Sequence, residues 1–284
     1  MARHHVIQIS DLHLSEERSY NQPGWEACVQ YIKNSGPEFV AVTGDLVLDD
    51  PDRDEDHHFV RSQLDRISAP WASIPGNHDI GDTHPNPYMG QRFDVSRLQR
   101  YRRSFGADFW TRELGDWLLI GLNAMLPGSG LQVEAEQYEW LREIAHEDPN
   151  RPTALFLHKP LCINRIDEES SPDACVVDVG RDRLLSVMQG VNLRFVASGH
   201  NHHYRTLTSG EVKMVWAPST AQILHMARPF TALLRPGLVN FWLDDDGSLE
   251  FGLVEPSGMV ATDVTDIIRQ YGAMRSAPVK QWRV

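Results

Sequence analysis

Acidic, carboxamide and imidazole side chains recur in this sequence directly after short apolar runs. The run "VIQI" (6–9) is followed by Asp11 and His13, and the run "FVAV" (39–42) is followed by Asp45. Three further runs precede the other residues of this kind: Asn77, His78, Asp79, His158, His200 and His202. Carboxylates and imidazoles are costly to bury without a partner. Their repeated placement at the ends of apolar runs therefore indicates that they share bound cations.

The residue types also indicate which metals could bind. Asp, Asn and His ligands without a thiolate suit Mn, Fe and Zn. In an extended chain, alternate residues face the same side, so we expect Asp11 and His13 to share one face, as would His200 and His202. These side chains are too numerous for one tetrahedral site. They are enough for two metal ions that share a bridging carboxylate.

Strands and helices that alternate along the chain would position these side chains. Six apolar runs are typical of buried strands: 6–9, 39–42, 71–74, 118–122, 154–157 and 193–197. The segments between them place apolar residues at helical spacing, as in "EAEQYEWLREIAH". This alternation predicts an α/β protein with βαβ units, in which ligands bind beyond the carboxyl ends of the strands. After residue 203, the segments 204–219 and 239–256 predict hairpins and therefore added antiparallel strands.

The length permits one large α/β domain or two smaller ones. We predict a single domain covering residues 1–284. The segment 80–112 is interpreted as a helical insertion or lid, since a loop leads into the Arg-rich helix "DVSRLQRYRRSF". The tail 263–284 is mildly basic and is predicted to be peripheral.

Composition excludes several classes of protein. The net charge of −12 disfavours a general binder of nucleic-acid polymers, because phosphates would be repelled. The three cysteines form no C-x-x-C pair and do not indicate a disulfide framework. No run of apolar residues is long enough to span a membrane, and the first residues do not resemble a secretory signal. We therefore expect a cytoplasmic protein.

Five sequence blocks contain the candidate ligands: "DLH" (11–13), "GD" (44–45), "GNHD" (76–79), His158 and "GHNH" (199–202). These blocks resemble those of the calcineurin-like metallophosphoesterases, and among these the class III cyclic-nucleotide phosphodiesterases most closely. They occur in the family's order over about two-thirds of the chain. The resemblance implies a four-layer α/β/β/α sandwich, in which two mixed sheets are flanked by helices.

The resemblance also implies a role for each site residue and a cofactor of two divalent or mixed-valence metal ions, with Mn, Fe and Zn as candidates. Asp45 would bridge the two ions. His78 would be the catalytic imidazole and Asp79 would orient it. The remaining ligands fall into two sets, one for each ion: Asp11, His13 and His202, and Asn77, His158 and His200.

By this resemblance the protein is a hydrolase of phosphoric esters. We expect it to cleave a small phosphodiester, with 3',5'-cyclic AMP as the first candidate, using a hydroxide activated by the two ions. The alternative is a phosphodiesterase or phosphomonoesterase that acts on another small ester, such as a nucleotide, a glycerophosphodiester or a phospholipid headgroup. A non-catalytic scaffold is disfavoured because every site position is filled. Similar proteins are commonly homodimers, so a homodimer is also expected.

The block "GDLVLDD" (44–50) lacks the arginine that the Ser/Thr phosphatase branch carries shortly after its G-D, which favours the phosphodiesterase branch. Two other charged segments have no assigned role in catalysis. The segment "DDPDRDEDHH" (49–58) predicts an acidic loop that leads into a helix N-terminus, in preference to a second metal site. The Arg-rich segment favours an exposed helix face over a phosphate-attracting lid: Arg92, Arg97, Arg100, Arg102 and Arg103.

Overall fold

The computed structural model describes residues 2–84, 91–224 and 231–265. Its helices and strands, in chain order, are β1 (Arg3–Ile9), α1 (Gln22–Ser35), β2 (Phe39–Thr43), α2 (Asp54–Leu64), β3 (Trp71–Ile74), α3 (Asn77–Ile80), α4 (Val95–Phe105), β4 (Trp110–Leu114), β5 (Trp117–Gly121), α5 (Gln132–Glu147), β6 (Thr153–Phe156), α6 (Asp178–Val187), β7 (Leu193–Ser198), β8 (Arg205–Ser209), β9 (Val212–Trp216), β10 (Gln222–Ile223), β11 (Leu238–Asp244), β12 (Leu249–Val254) and β13 (Thr262–Asp263). A single 3₁₀ turn, Ser19–Asn21, precedes α1.

The strands form two mixed sheets, as the resemblance implied. The first sheet has the order β12-β11-β1-β2-β3, and the second has the order β4-β5-β6-β7-β9-β8. β1, β2 and β3 are parallel, as are β5, β6, β7 and β9, while β11 and β12 pair antiparallel, and so do β8 and β9. All six predicted strands and both predicted hairpins are confirmed. β10 and β13 form a separate parallel pair.

Successive side chains along each strand point to opposite faces of its sheet. One face packs between the two sheets, and the other packs against the helices outside them. Val6 of β1 faces the second sheet and packs in a cluster with Phe156, Phe195 and Phe241. Ile7 belongs instead to the cluster that includes residues of the covering helices. Burial of one such aromatic side chain contributes about 1.5–3 kcal/mol to folding. The protein is therefore a four-layer sandwich, with helices outside two facing sheets.

A buried amide links the two sheets close to the carboxyl ends of their strands. Gln8 of β1 is fully buried, and its Nε2 donates to Thr43 Oγ1 at 2.9 Å and to the Ser198 carbonyl oxygen at 3.1 Å. Thr43 ends β2 and Ser198 ends β7, so the amide joins strands from different sheets. Each such hydrogen bond contributes about 0.5–1.5 kcal/mol net.

The two charged segments of the sequence contact each other. The acidic segment leads into α2, whose first turn contains three acidic residues, as predicted. Arg97 of α4 donates to both oxygens of Asp52, and Arg100 donates to Asp54 at 2.6 Å. These arginine side chains are thus held in ion pairs and are not simply an exposed face. The lid function of segment 80–112 stays a prediction, and its residues 85–90, like tail residues 266–284, lie outside the described residues.

Within the described ranges, every helix is too short or too polar to cross a membrane.

Candidate metal centre

All nine predicted site residues lie beyond the carboxyl ends of five strands that come from both sheets. In the first sheet, β1 leads to Asp11 and His13, β2 leads to Asp45, and β3 leads to the helix α3 that begins at Asn77. In the second sheet, the strands β6 and β7 lead to the remaining histidines: His158, His200 and His202. The ends of the two sheets therefore meet at one place, as the apolar runs predicted.

The local backbone differs from the predicted strand alternation. Five site residues have a left-handed backbone, and they are the non-glycine residues with positive φ in the described part of the chain: Asp11 (φ 56°), His13 (45°), Asp45 (52°), His200 (69°) and His202 (56°). β1 ends at Ile9 and β7 at Ser198, so both D-x-H and H-x-H lie in turns. The expectation of period-two geometry was wrong, because left-handed turns and not strand pleating bring these side chains together.

The first cluster contains Asp11, His13, Asp45 and His202, whose candidate ligand atoms all lie within 4.8 Å of one another. His13 Nε2 is 3.1 Å from His202 Nε2 and 3.7 Å from Asp45 Oδ2. His202 Nε2 is 3.4 Å from Asp11 Oδ1. All four residues are buried.

The second cluster contains Asp45, His158 and His200. His158 Nε2 is 3.3 Å from Asp45 Oδ1 and 3.2 Å from His200 Nδ1. Asn77 joins this cluster, since its Oδ1 is 3.2 Å from His158 Nε2. Asp45 directs one carboxylate oxygen to each cluster, which is the arrangement that a bridging ligand needs.

Three of the histidines are oriented by backbone carbonyl groups behind them. His158 Nδ1 is 2.7 Å from the Thr43 oxygen, His200 Nε2 is 2.7 Å from the Asp173 oxygen, and His13 Nδ1 is 3.2 Å from the Leu48 oxygen. A carbonyl oxygen can only accept, so the outer nitrogen donates and the inner nitrogen of a neutral ring carries a lone pair. Metal-binding histidines are held in this way. The residues therefore fit a pair of metal ions.

The electrostatic environment keeps two carboxylates of the centre ionised. Burial would lower the pKa of His158, but Asp45 offsets this and raises it to about 9. Burial would raise the pKa of Asp45, yet His158 and His78 hold it well below its usual range. Burial similarly opposes ionisation of Asp11, whose pKa the His202 side chain nevertheless lowers to about 2. The carboxylates are thus ionised and ready to bind cations.

His78 lies beside the first cluster, and its predicted partner Asp79 faces elsewhere. The Asp79 carboxylate accepts hydrogen bonds from the backbone N–H groups of Leu46, Val47 and Gly76, at 2.8–3.1 Å. Burial, and then the Asp45 charge, raise the pKa of Asp79 to about 7. These contacts give Asp79 a structural role in joining the loops after β2 and β3, in place of the predicted orientation of His78.

Asp49 faces His78 instead, although sequence reasoning did not single it out. His78 Nδ1 is 4.0 Å from Asp49 Oδ1, while His78 Nε2 is 4.0 Å from Asp45 Oδ2. The signal was present in the block "GDLVLDD", which places Asp49 four residues after Asp45. Since Asp49 lies in a segment with several other acidic residues, the sequence did not distinguish this carboxylate from its neighbours.

Glycines next to the site residues permit the loops to approach closely. A Cβ on Gly76 would lie 2.2 Å from Asp45 Oδ1, and a Cβ on Gly199 would lie 2.6 Å from Asp11 Oδ2. Both distances are below any normal contact. The glycines of "GNHD" and "GHNH" are therefore required by packing around the carboxylates.

Comparison with known proteins finds relatives at modest identity. The chain is 23% identical over 261 residues to a probable glycerophosphodiester phosphodiesterase, GpdQ, of Arcobacter nitrofigilis, covering 85% of this chain and 90% of the relative. It is 26% identical over 261 residues to the 3',5'-cyclic adenosine monophosphate phosphodiesterase CpdA of Escherichia coli, with 87% and 88% covered. A third relative is the human serine/threonine-protein phosphatase CPPED1, 27% identical over 204 residues, with 67% and 62% covered.

The family model for calcineurin-like phosphoesterases matches residues 4–204. This range contains all five sequence blocks and every residue of both clusters. The match covers well over half of the chain and ends just after the H-x-H pair. The chain therefore belongs to the calcineurin-like phosphoesterase family, whose members are hydrolases of phosphoester bonds.

Proposed function

We propose that this protein is a metal-dependent phosphodiesterase that hydrolyses a small phosphodiester, with 3',5'-cyclic AMP as the first candidate substrate. The observation that carries this proposal is the pair of buried His/Asp clusters that share Asp45. Two relatives that match most of the chain are named as phosphodiesterases, one of them as a 3',5'-cyclic adenosine monophosphate phosphodiesterase. The choice of cyclic AMP is supported by that relative and by the resemblance of the sequence blocks to the cyclic-nucleotide phosphodiesterases.

The ligand sets of the proposal follow the two clusters. Asp45 serves both ions, and Asn77 adds a carboxamide oxygen to the second set. The other ligands are Asp11, His13 and His202 for the first ion and His158 and His200 for the second. When bound, two divalent ions supply charge that stabilises the phosphoryl oxygens and activates a water molecule. The carboxylate, carboxamide and imidazole donors suit Mn, Fe or Zn.

His78 acts as the general acid in this proposal. Its ring lies 4.6 Å from the ring of His13, centroid to centroid, and its side chain is 15% exposed, so a substrate can reach it. With Nδ1 facing Asp49, a proton held at Nε2 faces the centre and can be donated to the oxygen that leaves phosphorus. Asp49 Oδ1, 4.0 Å from Nδ1, is the carboxylate that would orient this imidazole when the ring is protonated.

The second candidate is a phosphodiesterase or phosphomonoesterase for another small phosphate ester. Two relatives favour it, one named for glycerophosphodiesters and one for phosphorylated serine and threonine. Neither cluster distinguishes a diester from a monoester, because both would bind through the same phosphoryl oxygens. A scaffold without catalysis fits less well, because all seven proposed ligands and His78 are present.

A substrate panel tests the proposal. Metal-free protein would be loaded with Mn²⁺, Fe²⁺ or Zn²⁺ and assayed with cyclic AMP, glycerophosphoethanolamine, bis(p-nitrophenyl) phosphate and the corresponding monoester. We expect faster turnover of the diesters, and of cyclic AMP above the glycerophosphodiester. Faster turnover of the monoester would favour the second candidate. No turnover of any substrate with any of the metals would contradict enzymatic activity altogether.

A further inference from the structure

A buried ammonium group lies next to the second cluster and is not one of its ligands. Lys159 follows His158 directly in the sequence and is only 3% exposed. Its Nζ donates to the Asp82 carboxylate and, at 2.6 Å, to the Pro172 carbonyl oxygen. Lysine is rarely buried unless paired. The role of this lysine can therefore be inferred from the segments to which its two partners belong.

Each partner of Lys159 belongs to a segment that holds a residue of the second cluster. Asp82 lies two residues beyond α3, the short helix that begins at Asn77. Pro172 precedes Asp173, whose carbonyl oxygen accepts the hydrogen bond from His200 Nε2. Lys159 also follows His158 directly, so its ammonium group joins three segments of the chain. These segments hold Asn77, His158 and His200, which are the residues of the second cluster that the first cluster does not share.

Asp82 is held in place by backbone hydrogen bonds. The Asp82 N–H donates to the Gln91 oxygen at 2.9 Å, and the Asp82 oxygen accepts from the Phe93 N–H, also at 2.9 Å. Asp82 is 7% exposed, so water screens the pair weakly. Surface ion pairs contribute little, but removing one partner of a buried pair leaves an uncompensated charge.

The first cluster is held by other contacts. The Asp11 carbonyl oxygen accepts from Ser219 Oγ at 2.7 Å, and His13 is oriented by the Leu48 oxygen. Asp11 and His13 both follow β1, which is remote in sequence from Lys159, Asp82 and Pro172. Loss of the lysine should therefore disturb the two clusters unequally.

We propose that Lys159 is a positioning residue that sets the affinity of the second cluster for its metal ion. The inference rests on the proposed function, because it presupposes that both clusters bind metal. Substitution of residues that hold metal ligands in place typically weakens metal binding about 10–100-fold. Lys159→Met should weaken binding at the second cluster by this factor and leave the first cluster nearly unchanged.

Equilibrium dialysis of the metal-free full-length protein against Mn²⁺ measures this without any assay of activity. We expect two ions per chain in the wild-type protein, and in Lys159→Met one tight ion and one weakened about 10–100-fold. Arg181→Met is the matched control, because Arg181 is also a buried cation. Its guanidinium group donates hydrogen bonds to the Glu168 carbonyl oxygen and to the Asp178 carboxylate. This substitution should lower stability but leave both Mn²⁺ affinities unchanged.

The double variant Lys159→Met/Asp82→Asn guards against failure to fold, because it leaves no uncompensated carboxylate. It should reproduce the selective loss of the second ion. If wild-type protein binds fewer than two ions per chain with each of Mn²⁺, Fe²⁺ and Zn²⁺, the proposed function itself is contradicted. If wild-type protein binds two ions, and both Lys159 variants bind them as tightly, the positioning role is overturned. Equal weakening of both ions, or the same loss in Arg181→Met, would show a merely structural role and would also overturn it.

Discussion

Left-handed backbone is concentrated in the residues that would hold the metals. Five of the seven proposed ligands adopt it, and each such residue costs on the order of 1–3 kcal/mol unless its surroundings compensate. Asp and His tolerate this region better than bulkier or β-branched residues. The left-handed conformation orients the side chains of these turns toward the two clusters. The sequence predicts these residues as ligands but not their conformation, because spacing alone does not distinguish a pleated strand from a turn.

His78→Ala should retain the metal ions and lose most turnover. The ring contacts the first cluster without being one of its members, so its removal leaves both ligand sets intact. We expect kcat to fall by about 10²–10⁴-fold, as for loss of a general acid. Metal content by mass spectrometry and steady-state kinetics on the best diester measure the two effects separately.

Asp45→Ala is the contrasting variant for that experiment. Because Asp45 belongs to both clusters, its loss should remove metal content and activity together. Unchanged turnover in His78→Ala would exclude this imidazole from the mechanism, and near-normal metal content in Asp45→Ala would argue against a bridging carboxylate.

At the scale of elements, the proposed ligands lie in short segments that directly follow the strands, and these segments are closely packed around the carboxylates. Sequence reasoning predicted these strands well, since short apolar runs and the residues after them are local signals. It did not predict α3, which spans only Asn77–Ile80, nor β4, whose pattern has polar residues at its centre. Helices of one turn are held by their surroundings and leave little periodic signal.

Gly76→Ala should disrupt the centre although it changes no ligand. The added methyl group would overlap Asp45 Oδ1, so either the carboxylate or the loop must move. We expect a loss of about 1–3 kcal/mol in the free energy of unfolding, together with reduced metal content. Urea denaturation and metal analysis measure these effects.

Gly252→Ala on β12 is the matched control, because a Cβ there meets nothing within 4 Å. It should leave both stability and metal content close to those of the wild-type protein. Normal metal loading in Gly76→Ala would show that the loops can relax, and would refute the packing argument.

For the molecule as a whole, the sequence predicted an α/β protein, and the two-sheet sandwich came only from the family resemblance. Local patterns do not reveal which strands share a sheet. β11 lies between β12 and β1, far from β1 in sequence, and this pairing depends on long-range packing. The ion pairs between α4 and the acidic segment were likewise missed, because charge patterns do not specify partners. The homodimer and the cytoplasmic location stay predictions.

Stability should depend on pH through a histidine outside the centre. Burial, and then the Arg100 charge, lower the pKa of His57 to about 4, whereas an unfolded histidine titrates near 6.5. Between these values the unfolded chain binds the proton and the folded protein does not. Stability is therefore full above pH 6.5 and falls as the pH drops toward 4, by about 1.4 kcal/mol per pH unit and about 3 kcal/mol in total.

Urea denaturation of the metal-free protein at pH 7, 5.5 and 4.5 tests this expectation. His57→Phe keeps the ring contact with Phe105 but cannot titrate, so it should lose less stability on acidification than the wild-type protein. His58→Phe, at the exposed neighbouring position, should behave as the wild type does. Parallel pH profiles for His57→Phe and the wild type would disprove the assignment.

The place of β11 beside β1 also bears on how the chain is made. β1 emerges from the ribosome well before its antiparallel neighbour β11, which spans Leu238–Asp244. Until β11 is translated, the backbone N–H and C=O groups on one edge of β1 lack their strand partner. Exposed strand edges of this kind can pair with other chains and lead to aggregation. A nascent polypeptide that ends before β11 can thus carry every proposed metal ligand while its first sheet is still open.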